Sequence, residues 1–268
     1  MIKFLAKGLI RDRSRSLFPL LTIIITVTLV IFGIGFMEGA MNNFLQSTAV
    51  ISSGHVKVVT KAYEKESSQL PNDLALFETN KIIQNLSDLY PNYFWTPRIT
   101  FGGLLDTPNE DGDTKEQGPV FGIGIDFHSK TSRQIEIWEL EKYLLHGNLP
   151  KNTNDALIST KLAKQLSVDI GSTVTLISTT MDNAFTTYNF EITGIFNLNK
   201  GQVDRQMMLV DISGARQALG MEGAASEILG YHQSLYYNDN EATSMRNDFN
   251  LTISDSITKV LRDEASYD

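Results

Sequence analysis

Residues Leu17 to Met37 (LFPLLTIIITVTLVIFGIGFM) form a run of 21 positions, 15 of them strongly apolar and none charged. As a helix rising about 1.5 Å per residue the run spans about 31 Å, close to the roughly 30 Å of bilayer hydrocarbon. Its 14 Leu, Ile, Val and Phe residues favour insertion by about 4 to 8 kcal/mol on the translocon scale, and Pro19, Gly33, Gly35 and three threonines offset this only in part. A cleaved secretory signal has an apolar core of about 7 to 15 residues followed by an A-x-A-like site. Here the run is longer, and Phe36-Met37-Glu38-Gly39-Ala40-Met41 is a poor site. The expectation is a retained membrane helix over residues 17–37.

The flanks set its direction. Lys3, Lys7, Arg11, Arg13 and Arg15 precede the run against a single Asp12, and the next Lys or Arg is Lys57. The positive-inside rule then keeps the N-terminus in the cytoplasm and puts everything from Glu38 onward outside. Residues 1–16, with Phe4, Leu5 and Leu9 on one helical side, read as a basic amphipathic segment under the membrane or simply as its positive flank. Gly35 and Gly39 make a small-xxx-small pair that suits close approach of another helix.

Beyond Met37 the chain carries 18 Lys and Arg against 30 Asp and Glu, a net charge of −12. That balance argues against nucleic acid or anionic lipid as a partner of the outer part. The absence of cysteine fits an exported domain that needs no disulfide, and fits a cytosolic one equally.

Periodicity divides the outer part. A turn at Ser53-Gly54 leads into a strand over 55–60, and apolar residues from Leu74 to Leu89 recur at helical spacing, predicting a helix over 72–89. Strands over 93–105 and 120–125 flank the polar stretch Asp106 to Gly118, which reads as a β-hairpin with a long acidic tip. Residues 129–146 look mostly helical, and Ser159 caps a short helix through Leu162, Ala163 and Leu166. Strands follow over 173–178, 185–196 and 206–211, then a helix from Ser213 to Leu219 and a strand over 227–231. Asp239-Asn240 is placed to cap a last amphipathic helix with Met245, Phe249, Ile253, Ile257 and Val260 on one side.

Motifs for chemistry are missing. No G-x-x-x-x-G-K-[ST], H-E-x-x-H or G-x-S-x-G occurs, and His55, His128, His146 and His232 are scattered singly, each read as a surface or loop residue. Gly122-Ile123-Gly124 begins like a dinucleotide fingerprint, but the third glycine position is Phe127, so the pair reads as sheet packing. Asn109, Asp111 and Gly112 fit an EF-hand register whose first and twelfth positions would be Thr107 and Gly118, where carboxylates are required. We therefore assign no catalytic residue, no metal ligand and no cofactor.

The order of the pieces is more informative than any one of them. The basic flank and first helix, then SGHVKVVTKAYEK, GIGIDFHSK, LLHGNLP, DALISTKLAKQLSVDIGSTVTLI, FEITGIF and VDRQMMLVDISGARQALG, together resemble the permease subunits of the MacB/LolC/FtsX superfamily of ABC transporters. The resemblance is closest to the lipoprotein-releasing, LolC/LolE-like branch and runs from Lys3 to about Asp268. It implies an α+β fold: one N-terminal transmembrane helix, then an extracytoplasmic domain of two α+β parts. A Porter-like part would take residues 38–125 and 223–268, and a β-rich Sabre-like part would be inserted over 126–222.

What the resemblance implies about function is a non-catalytic transport subunit of the bacterial inner membrane, with its N-terminus cytoplasmic and its main domain periplasmic. Its implied partners are a cytoplasmic ATPase subunit, a second permease copy or a paralogue, membrane lipid, and a periplasmic carrier or lipoprotein, with no nucleic acid. Such permeases carry three further membrane helices, so a chain ending at Asp268 is expected to be a fragment of a longer protein. A single-pass anchored scaffold or sensor is the alternative. The first helix is expected to run unbroken out of the membrane, because Met41, Leu45 and either Thr48 or Ala49 keep helical spacing.

Overall fold

A computed structural model describes residues 13–109, 114–129, 132–198 and 205–264, with side chains described from 17 to 46 and, within those ranges, from 49 to 252. Two compact units divide the chain after Thr48.

The first unit holds one helix, α1 (Arg13–Thr48), 36 residues long. At 1.5 Å per residue it measures about 54 Å, longer than a bilayer core by about 16 residues. The large apolar side chains from Leu17 to Met37 are all exposed. The Thr22 and Thr26 hydroxyls donate to the Phe18 and Thr22 carbonyls at 2.9 and 2.8 Å, so these polar groups are satisfied within the helix. The helix is unbroken past Met37, as the spacing predicts.

The second unit begins at Ala49 with a π-helical turn, Ala49–Ser53, and continues through β1 (Val56–Val58), α2 (Lys61–Glu66), α3 (Thr79–Leu89), β2 (Tyr93–Pro108) and β3 (Thr114–Ile125). Two single-turn helices, α4 (Gln134–Ile137) and α5 (Leu140–Tyr143), lead to β4 (Leu144–Gly147), β5 (Asp155–Ser159), α6 (Thr160–Leu166), β6 (Thr173–Thr179) and β7 (Phe185–Phe196). The chain closes with β8 (Met207–Asp211), α7 (Ile212–Leu219), β9 (Glu227–His232) and α8 (Asp239–Glu264). Among the described residues the strands join in the order β1-β9-β2-β3-β8-β5-β7-β4, with β6 pairing β2 and β7.

One strand serves two pairings. Residues 93–98 of β2 pair with β9, while residues 99–108 pair with β3, and Leu104 to Asp106 also meet β6. Alternation along the central strands explains why both sheet faces are buried. Ala156, Ile158, Met208 and Val210 join the core under α6 and α7, whereas Leu157, Met207 and Leu209 join the opposite core around Trp138. Gly122 and Gly124 are sheet packing as read: a Cβ on the first would lie 2.0 Å from the Phe101 ring and on the second 2.6 Å from Ala215.

Several expectations need correction. The helix predicted over 72–89 is regular only from Thr79, because Leu76 and Ala225 exchange backbone hydrogen bonds of 2.8 and 2.9 Å and Glu78 turns at φ 50°. The helix predicted over 129–146 is two turns broken at Arg133 and Glu139, both at positive φ, and its end pairs with β7 as a strand. The hairpin tip is shorter than Asp106 to Gly118, since Asp106 pairs with Gln117 and Thr107 with Glu116. β5 was not expected, yet all five of its residues are buried. Asn238, not Asp239, caps α8, its Oδ1 accepting from the Asn240 and Glu241 amides at 3.1 and 3.4 Å. Ser159 caps α6 as predicted, accepting from the Leu162 amide at 3.2 Å.

Candidate functional site

The segment that follows α1 directly is held by an unusual density of polar contacts. Ala49 is buried, and Val50 and Ile51 pack against the core that contains Trp138, Leu229 and Tyr231. A π-helical turn leaves main-chain carbonyls without the regular α-helical partner. Three consecutive ones are taken by side chains from the sheet. The Tyr231 hydroxyl donates to the Val50 carbonyl at 3.0 Å, Arg98 Nη1 to the Ile51 carbonyl at 2.9 Å, and Arg98 Nη2 to the Ser52 carbonyl.

Arg98 is itself anchored. Its Nη2 lies 2.8 Å from Glu227 Oε2, and Lys57 Nζ lies 3.6 Å from the same oxygen. Arg98 and Glu227 are directly opposite in the β2–β9 register, 3% and 5% exposed. A charge so buried survives only when paired and hydrogen-bonded, and the planar guanidinium fork suits three oxygen acceptors at once. Burial pushes the Tyr231 phenol up from its ordinary value, so it remains a donor at any physiological pH. After Ser53, Gly54 at φ +67° turns the chain into β1, where a Cβ would stand 3.0 Å from the Val56 carbonyl.

This arrangement can carry force. A segment fastened through three carbonyls to two strands cannot shift without moving them or breaking several buried hydrogen bonds together.

The residues singled out from the sequence fall elsewhere. Lys3, Lys7 and Arg11 lie outside the described residues, and Arg13 and Arg15 open α1. Gly35 and Gly39 are on exposed helix, and a Cβ on either would have open space around it. Sequence reasoning missed Arg98 and Glu227. The available signal was an arginine at the centre of the apolar strand pattern Trp95 to Phe101, where a charge demands a partner.

The histidines divide. His55 is buried, not a surface residue, and its Nδ1 accepts the His232 amide at 3.0 Å. Its desolvation, with His232 beside it, lowers the imidazole pKa to about 4. His232 has the Ser234 hydroxyl 2.7 Å from Nδ1 and the Glu241 carboxylate 3.8 Å from Nε2. That trio of groups is a local turn: the Ser234 amide donates to the same Nδ1 at 3.1 Å and the Tyr236 amide to Ser234 Oγ. Among the described residues no cluster of three His, Asp or Glu side chains is placed to hold a metal ion.

A long apolar helix followed by an α+β domain with a mixed sheet defines the chain as a membrane-anchored protein with an extracytoplasmic domain. Residues 16–247 match the model of the MacB-like periplasmic core domain, and the chain belongs to that family. Membership makes it a permease-type component of an ABC transporter, whose partner is an ATPase subunit. The periplasmic region of MacB from Actinobacillus actinomycetemcomitans is similar at 13% identity and a TM-score of 0.46, over 77% of this chain and 91% of that one. No curated protein matches the chain.

Proposed function

We propose that the chain is the N-terminal portion of a permease subunit of the mechanotransmission type. ATP hydrolysed by a separate cytoplasmic subunit would move the membrane helices. The outer domain would turn that motion into release or movement of a lipoprotein, a peptide or another amphipathic substrate. The chain itself performs no catalysis in this reading, and its N-terminus, with the basic flank, is cytoplasmic. A Porter-like part over 38–125 and 223–268 would carry the segment Ala49–Ser53, and an inserted part over 126–222 would extend from it through the β3–β8 pairing.

The observation that carries the reading is the clamp. The residues next in the chain to α1 are fixed by Arg98 and Tyr231 to β2 and β9, which supports reading Ala49–Ser53 as the point where motion enters the sheet. The test is a Gly-Pro insertion after Gln46 in the assembled permease with its ATPase. This chain lacks cysteine, so with any cysteines elsewhere in the assembly replaced, a spin label at Asp182→Cys reports the outer domains alone. ATP trapping should change the label-to-label distance in the parent, and the insertion should abolish that change while assembly and ATP hydrolysis persist. An unchanged response in the insertion variant would overturn the reading.

A further inference from the structure

A second feature of the outer unit shares only Lys57 with the clamp. A groove of about 670 Å³ opens between β1, α2, α3 and α8, within the size range of small-molecule sites. Leu86, Trp95, Met245 and Phe249 give it an apolar floor. Lys57, Lys61, Lys65 and Arg246 line it, against Glu64 and Asp239, the latter taken at 2.8 Å by the Tyr237 hydroxyl. This cationic excess stands in a part of the chain whose net charge is −12. Among the described residues Lys61, Lys65 and Arg246 make no ion pair.

Two further groups in the wall lack partners. His55 uses Nδ1 as an acceptor, so its neutral ring carries the proton on Nε2, and that nitrogen is buried with no hydrogen-bond partner. Trp95 Nε1, a donor only, is buried and unpartnered as well. Both residues are about nineteen-twentieths buried, at 5% and 6% exposure. Both nitrogens have less than 1 Å² of accessible surface, so an acceptor that satisfies them reaches them only as the wall parts around it.

We propose that this groove binds a single-chain amphiphile with a carboxylate head, a free fatty acid. Its alkyl chain lies on the apolar floor, its charge is offset by Lys61, Lys65 and Arg246, and its head oxygens take the His55 and Trp95 N–H groups as the wall parts. A zwitterionic or cationic amphiphile lacks this match, and a bulky two-chain lipid exceeds the volume. The proposal rests on the groove alone and stands or falls independently of the transport reading.

The test uses the full chain in nanodiscs and decanoate carrying a terminal diazirine, with cross-linked peptides mapped by mass spectrometry. Labelling is expected on α3 and α8, displaced by unlabelled decanoate and at least about tenfold less well by decanol or decyltrimethylammonium. Lys61→Glu with Lys65→Glu, both exposed positions, should cut groove labelling about tenfold with an unchanged circular dichroism spectrum. Equal competition by decanol would overturn the proposal. So would labelling confined to α1, which reports partition into the membrane, or displacement by an acidic amphipathic peptide but not by decanoate, which reports a protein ligand.

Discussion

Arg98 and Glu227 face each other across β2 and β9, 129 residues apart in sequence, joined at 2.8 Å and both nearly inaccessible to solvent. Removing Arg98 leaves the buried Glu227 with Lys57 at 3.6 Å alone and takes the donor from two carbonyls, so Arg98→Ala should cost about 3 to 5 kcal/mol in denaturant unfolding. Replacing both, Arg98→Met with Glu227→Leu, should recover much of that but not all. The Ile51 and Ser52 carbonyls would still lack donors, at about 1 to 3 kcal/mol. A double variant as stable as the parent would show that the carbonyl contacts contribute nothing.

Tyr231→Phe isolates the third contact. It deletes only the hydroxyl bonded to the Val50 carbonyl, so the expected loss of stability is about 1 kcal/mol. Amide exchange should quicken at Ala49–Ser53 and stay unchanged at β5. Equal protection of the segment in both proteins would remove Tyr231 from the clamp.

His55 makes stability depend on pH. Its pKa falls from about 6.5 in the unfolded chain to about 4 in the fold, so between these values the unfolded state binds more protons. Its contribution is complete above about pH 6.5 and is lost as the pH drops to about 4. Allowing for solvent screening, the expected loss is on the order of 1 to 2 kcal/mol. His55→Gln should flatten this part of a stability profile, and an unaltered slope would assign the dependence to other groups.

Gly122→Ala tests the close approach in β3. The added methyl would sit 2.0 Å from Phe101, and overpacking of this kind costs about 1 to 3 kcal/mol or more. Phe101→Leu in the same chain should return part of the loss. A second-site rescue no better than Phe101→Leu alone would place the strain elsewhere.

Local chemistry was legible in the sequence wherever one segment sufficed to define an element. The apolar run of α1, the Ser159 cap and the strands β6 and β7 each depend on neighbours in the chain. Elements made by distant partners were not legible. Leu144–Gly147 looks helical until β7 offers an edge, and Asp155–Ser159 is a short run whose burial depends on β7 and β8 flanking it. The clamp was hidden for the same reason: the β2–β9 register that sets Glu227 beside Arg98 is written in neither strand by itself. His55 looked like a lone surface residue because its partner amide, His232, is contributed by β9.

β2 gives the outer unit a lever arm. Arg98, at the clamp, and Pro108, near the hairpin tip, are ten residues apart on one continuous strand. At about 3.3 Å per residue the arm is roughly 33 Å long, so a tilt of about 10° at the clamp would swing the far end by about 6 Å. A small angular input at Ala49–Ser53 would therefore emerge as a stroke about as large as the diameter of an alkyl chain.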